Sequence, residues 1–75
     1  MKNKITEFLG WYGVVAIVGA YALLSFGKID SGSTIYQVLN LTGAIGVVID
    51  AVDDRNIQPA VLNLIWAGIA LLALF

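Results

Sequence analysis

The sequence predicts an all-α integral membrane bundle of three transmembrane helices, assembled as a homo-oligomer. Three observations lead there. Residues 8–27, 31–49 and 57–75 contain no charged side chain. Each run holds about 19–20 residues, or about 28–30 Å of helix at 1.5 Å per residue, close to the roughly 30 Å hydrocarbon core of a bilayer. The chain of 75 residues is 60% hydrophobic and only 12% charged, with a mean hydropathy of +0.92. A soluble domain this short has a poor ratio of core to surface, and average chains carry about twice that charged fraction. Three strands could not close a barrel, so helices are the spanning elements that satisfy their own backbone groups.

The elements follow in order. A first helix is expected over about 8–27, a second over 33–51 and a third over 58–75, in one domain covering 1–75. The connection Gly-Lys-Ile-Asp-Ser-Gly-Ser (27–33) offers Ser31 and Ser33 as N-caps. The second connection, 50–59, holds Asp50, Asp53, Asp54 and Arg55 and ends at Pro59, whose missing N–H suits the first turn of a helix. Asn56 could cap that turn. Connections this short make neighbouring helices antiparallel. Lys2, Lys4 and Arg55 fall on one side of the membrane and Lys28 on the other, which puts the N-terminus inside. The expected location is the bacterial cytoplasmic membrane, with several passes. Ala20-Tyr21-Ala22 fits a small-x-small cleavage pattern. The apolar run continues past it, so the first span reads as a mature helix.

Several function classes drop out on composition. There is no cysteine and no histidine, and the net charge is −1. Disulfides, imidazole metal sites and histidine acid–base chemistry are excluded, and no basic patch points to nucleic acid. No nucleophile–base pair, phosphate loop or calcium loop is present, so neither an enzyme nor a cofactor is expected. Asp53 and Asp54 read as a solvated loop. Asp50 is different, because it continues the polar stripe of the second span.

Asparagine occurs twice inside the tetrapeptide Val-Leu-Asn-Leu, at Asn40 and Asn63. Aligning residues 38–52 on 61–75 gives five identities in fifteen positions, too few in so narrow an alphabet to read as a duplication. An unpaired amide facing lipid costs several kcal/mol, roughly, so both should turn inward. In the second span Gln37, Asn40, Gly43, Val47 and Asp50 fall on one side, with Gly46 at its border. Gly13, Ala16 and Ala20 form a small face on the first span, with Gly10 a turn earlier. Folding the first hairpin about residue 30 makes Tyr21 or Gln37 the partner expected for Asn40. A two-fold axis would instead bring Asn40 onto its symmetry mate. Folding the second hairpin about residue 55 makes Asp50 or a backbone carbonyl the partner for Asn63. Trp11, Tyr12, Tyr36 and Phe75 read as interfacial aromatics, whereas Tyr21 and Trp66 lie deeper and should face inward.

The candidate lining residues are therefore Gln37, Asn40, Asp50, Asn63, Trp66 and Tyr21. The candidate helix-packing residues are Gly13, Ala16, Ala20, Gly43 and Gly46. Three helices are too few to enclose a pathway. An oligomeric transporter or channel-like protein for a small solute, with a dimer as the simplest assembly, is one reading. A structural or accessory subunit of a larger membrane complex is the alternative.

Some of these residues also carry a family resemblance. Tyr21, Leu23, Leu24, Gly27 and Lys28, then Tyr36, Gln37, Asn40 and Gly43, then Pro59, Asn63 and Trp66 resemble a family of small bacterial three-helix membrane domains of permease type. A weaker resemblance, through Pro59 and Asn63, is to half-size sugar transporters of the PQ-loop type. That second resemblance implies a parallel dimer with Asn63 near a substrate pocket. The first span departs from it, because it lacks the Pro-Gln hinge of those transporters.

Overall fold

A computed structural model describes residues 3–75; Met1 and Lys2, the latter part of the charge count, lie outside the described residues. The chain forms α1 (Lys4–Ser25), α2 (Thr34–Asp53) and α3 (Ile57–Ala73), with no strand among the described residues. At 1.5 Å per residue these are about 33, 30 and 26 Å long. α1 and α2 are long and apolar enough to cross a membrane, and α3 is a shorter apolar helix.

Local chemistry sets the boundaries. α1 begins four residues before its charge-free run because Asn3 caps it, accepting a hydrogen bond from the Ile5 N–H at 2.7 Å. Ser33, not Ser31, caps α2 and accepts from the Tyr36 N–H at 3.1 Å. Asn56 stands at the cap position of α3 without a side-chain cap bond. Pro59 sits in the first turn of α3, where its missing N–H leaves nothing unbonded.

Both turns use the same closing device. Gly27 has φ 72°, with Gly27 N–H donating to Leu24 O (3.1 Å) and Lys28 N–H to Leu23 O (2.8 Å). Arg55 has φ 57°, with Arg55 N–H on Val52 O (3.0 Å) and Asn56 N–H on Ala51 O (2.8 Å). These are Schellman caps, which want glycine at the left-handed position. Gly27→Ala is expected to lower stability by about 1 kcal/mol and Arg55→Gly to raise it by a similar amount. Denaturation of the two purified variants in detergent checks the opposite signs.

α2 is the centre of the molecule. α1 packs on α2 and α3 packs on α2, but among the described residues α1 and α3 do not pack on each other. The bundle is therefore open on one side. The sequence of α2 accounts for this. Gly43, Gly46 and Asp50 meet α1, while Asn40 meets α3. At 3.6 residues per turn these two directions diverge by about 90°, so helices about 9 Å from α2 stand about 13 Å from each other, beyond the 8–10 Å of packed pairs.

The interior is made of small residues. Among the described residues, Ala16, Ala20, Ala44, Ala51, Ala60, Ala67 and Ala70 are the buried hydrophobics, Asn40 is the buried polar residue, and no large side chain is fully buried. The bulky apolar side chains point outward, among them Phe8, Trp11, Val15, Phe26, Leu64 and Leu72. The chain exposes 5269 Å² at 8.0 kDa, against roughly 4,450 Å² for a folded soluble chain of that mass.

Candidate functional site

The α1–α2 seam is a close backbone contact. A Cβ at Gly13 would collide with the Gly43 carbonyl oxygen and lie 2.7 Å from Val47 Cγ2. A Cβ at Gly43 would lie 3.0 Å from the Gly13 carbonyl oxygen and 3.2 Å from Ala16 Cβ. Gly46 lies against the Leu9 carbonyl in the same way. Ala16 and Ala20 continue the small face and are buried. Tyr12 Oη and Thr42 Oγ1, 2.7 Å apart, join the two helices, and Thr42 in turn donates to Val38 O at 2.8 Å. Tyr12 is therefore a cross-link between helices as well as an aromatic at the surface. Its spacing from Thr42 would have found this pair had the hairpin been folded about residue 27.

At the far end of the seam, Asp50 packs against Gly10, which has no side chain to obstruct it. Gly10, Trp11, Val14, Val47 and Asp50 line a cleft of about 210 Å³ there. Asp53 lies one turn further on and is not simply a solvated loop residue. Its Oδ2 accepts from the Asn3 N–H at 3.2 Å and stands 2.8 Å from Thr6 Oγ1. An anion at a helix N-terminus is favourable. Asp53→Ala is expected to loosen the first turn of α1 at a cost of about 1 kcal/mol. Faster amide exchange confined to the start of α1 is the expected reading.

The α2–α3 seam carries the polar centre. Trp66 Nε1–H donates to Asn40 Oδ1 at 2.9 Å, and Asn40 Nδ2 donates to Tyr36 O one turn back at 2.8 Å. Asn40 is 4% exposed. Its partners are thus Trp66 and its own helix, and not Tyr21 or Gln37. The hairpin folds about residue 53 rather than 55, which lifts Trp66 to the level of Asn40. Asn63 Nδ2 donates to Pro59 O at 2.9 Å, so the backbone carbonyl, and not Asp50, is its partner. Gln37 Nε2 donates to Ser31 O at 2.7 Å and ties the first turn of α2 to the preceding loop.

The opening between α1 and α3 is a cleft of about 340 Å³ lined by Ile17, Val18 and Tyr21 of α1, Tyr36 and Asn40 of α2, and Trp66 of α3. A second cleft of about 220 Å³ lies on the other side of the Asn40–Trp66 pair, lined by Tyr36, Gln37, Asn40, Trp66, Ile69 and Ala70. Asn40, Trp66 and Tyr36 border both, so the hydrogen-bonded pair is a partition between them. Tyr21 faces this cleft from its rim with 65% of its surface exposed, not from the bundle interior. Trp66 is 44% exposed, its N–H turned in and its ring on the cleft wall. Tyr36, read from sequence as an interfacial aromatic, is a wall residue as well.

The six lining candidates therefore do not converge. Asn40, Trp66 and Tyr21 share one cleft, Gln37 reaches only the smaller one beside it, Asp50 is on the α1 seam, and Asn63 is bonded within α3. Among the described residues no group of three or more His, Cys, Asp or Glu could hold a metal ion.

These features define a three-helix all-α chain with two helices long and apolar enough to cross a membrane. A family model matches residues 6–75, and the chain belongs to that family, a small and uncharacterised one. No curated protein and no solved structure matches it.

Proposed function

We infer that the protein is a multi-pass bacterial inner-membrane protein that works as an oligomeric, channel-like carrier for a small solute. The observation that carries this reading is the cleft between α1 and α3, with the Asn40–Trp66 pair at its floor. In lipid a helix bundle gains little by hiding apolar side chains and is held by close packing of small residues and by interhelical hydrogen bonds. The alanine and glycine interior, with bulky side chains outside, matches that physics. The Trp66 ring, held by its N–H bond to the buried Asn40, and the Tyr21 and Tyr36 side chains offer a solute aromatic contacts along the open groove. A second copy across the groove would enclose it. The N-terminus and the second loop are assigned to the cytoplasmic side by the Lys and Arg count.

Proteoliposomes containing the purified protein test this. Re-swelling after osmotic shock with a series of small neutral and charged solutes should exceed that of protein-free vesicles for at least one solute. Trp66→Leu should abolish the excess. Re-swelling at the protein-free rate for the whole series contradicts a carrier role.

A second reading, an accessory subunit of a larger membrane complex, is favoured by one observation: the polar residues Gln37, Asp50 and Asn63 do not extend the cleft into a continuous path. Purification in mild detergent with a stoichiometric foreign partner would support it.

A further inference from the structure

We propose that the cleft between α1 and α3 is a binding site for a delocalised organic cation, such as an aryl phosphonium or quaternary ammonium ion. The assignment rests on the membrane-carrier reading and names its substrate class. Three of the six lining residues, Tyr21, Tyr36 and Trp66, are aromatic, and they come from three different helices around one opening. Ring faces carry negative potential and attract cations, most strongly where water is excluded. Anions meet the same faces unfavourably. The remaining walls are Ile17 and Val18, which suit apolar substituents, and Asn40, whose carboxamide oxygen is taken up by the Trp66 N–H.

Among the described residues no charged side chain lines the cleft. A metal ion or a primary ammonium would lose its hydration there without a carboxylate to offset the cost. A cation whose charge is spread over a large apolar body loses little hydration and keeps the attraction to the rings. The volume of about 340 Å³ falls at the small end of ligand pockets, which run from about 300 to 1,000 Å³. The Trp66 N–H bond to Asn40, at 2.9 Å, fixes the indole against the α2 wall, so one aromatic side of the cleft is set before the ligand arrives.

The probes are tetraphenylphosphonium and tetraphenylborate, which share shape and differ in sign. The protein is purified in neutral detergent with Trp11→Phe, leaving Trp66 as the single tryptophan. The phosphonium should quench Trp66 saturably, at least tenfold more tightly than the borate. Tyr21→Leu and Tyr36→Leu should each weaken it about tenfold with helix content unchanged, and Tyr21→Phe should restore it. Equal affinity for both ions, non-saturable quenching, or leucine variants that bind as the parent does would overturn the assignment. Liposome flotation of the same protein separates the two claims. Flotation with no cation selectivity removes only the ligand class, whereas failure to float removes the membrane reading as well.

Discussion

Replacing Gly13 by leucine is expected to force α1 off α2 and to lower stability by about 3 kcal/mol. The reason lies in what the new side chain meets. Its Cβ alone runs into the Gly43 carbonyl oxygen and sits 2.7 Å from Val47 Cγ2. A backbone carbonyl inside a helix cannot rotate away as a flexible side chain can, so the helices themselves must separate. Separation also breaks the Tyr12–Thr42 bond and unseats Asp53 from the start of α1. Gly19 is the internal control, because nothing lies within 4 Å of a Cβ added there. Gly19→Ala removes a helix-weakening glycine and should be neutral or stabilising by about 0.5–1 kcal/mol. Denaturation by SDS followed by far-UV circular dichroism distinguishes the two. Equal behaviour of the variants would mean that the Gly13–Gly43 contact does not hold the helices together.

The second large effect is expected at Asn40. Asn40→Leu removes the acceptor of the Trp66 indole and places a branched side chain where an amide was buried. A loss of about 2 kcal/mol follows from the stranded N–H and the altered packing. Trp66→Phe removes the donor and keeps most of the ring. The double-mutant cycle isolates the pair, and a coupling of about 1 kcal/mol is expected, within the range seen for hydrogen bonds between membrane helices. Additive losses would show that the two residues share a wall without sustaining each other. Asn63→Leu gives the contrast, since that amide bonds only its own helix, and about 1 kcal/mol or less is expected.

How much of this was legible in the sequence varies with the kind of physics involved. Charge-free runs locate the helices, because among the described residues charges are confined to the first turn of α1, the last turn of α2 and the connections. The packing glycines were legible for a similar reason. Gly13, Gly43 and Gly46 are small residues at helical spacing, and small residues are what a close seam requires. The depth of each side chain was harder to read. Gly13 meets Gly43 and Leu9 meets Gly46, so the first hairpin folds about residue 28 rather than 30. The two Schellman caps wind each turn tighter than a simple midpoint suggests. In the second hairpin the same shift gives Trp66 to Asn40 and leaves Asn63 with Pro59.

The open side of the bundle was the least legible feature. Gln37, Asn40, Gly43, Val47 and Asp50 lie on one side of α2 when treated as one stripe. The divergence of about 90° around α2 divides that side into two seams, with Gly43 and Asp50 toward α1 and Asn40 toward α3. A single stripe suggested one polar path. Two seams produce two outer helices that stand apart, and the groove between them collects Tyr21, Tyr36 and Trp66. Tyr36 was missed because its position near a helix end matches that of an interfacial aromatic, and only the divergence of α1 and α3 turns it into a wall.

The central claim is that this alanine-cored chain crosses a bilayer with its bulky side chains in lipid. The sequence contains no cysteine, so single cysteines can be placed without background. The direct measurement is labelling of cysteines at Gly32 and Asp54 by a membrane-impermeant maleimide, in intact cells and in inverted membrane vesicles. The account predicts that Gly32→Cys reacts from outside and Asp54→Cys only from the cytoplasmic side. Both positions reacting from the same side, or the chain remaining in the soluble fraction, would contradict it.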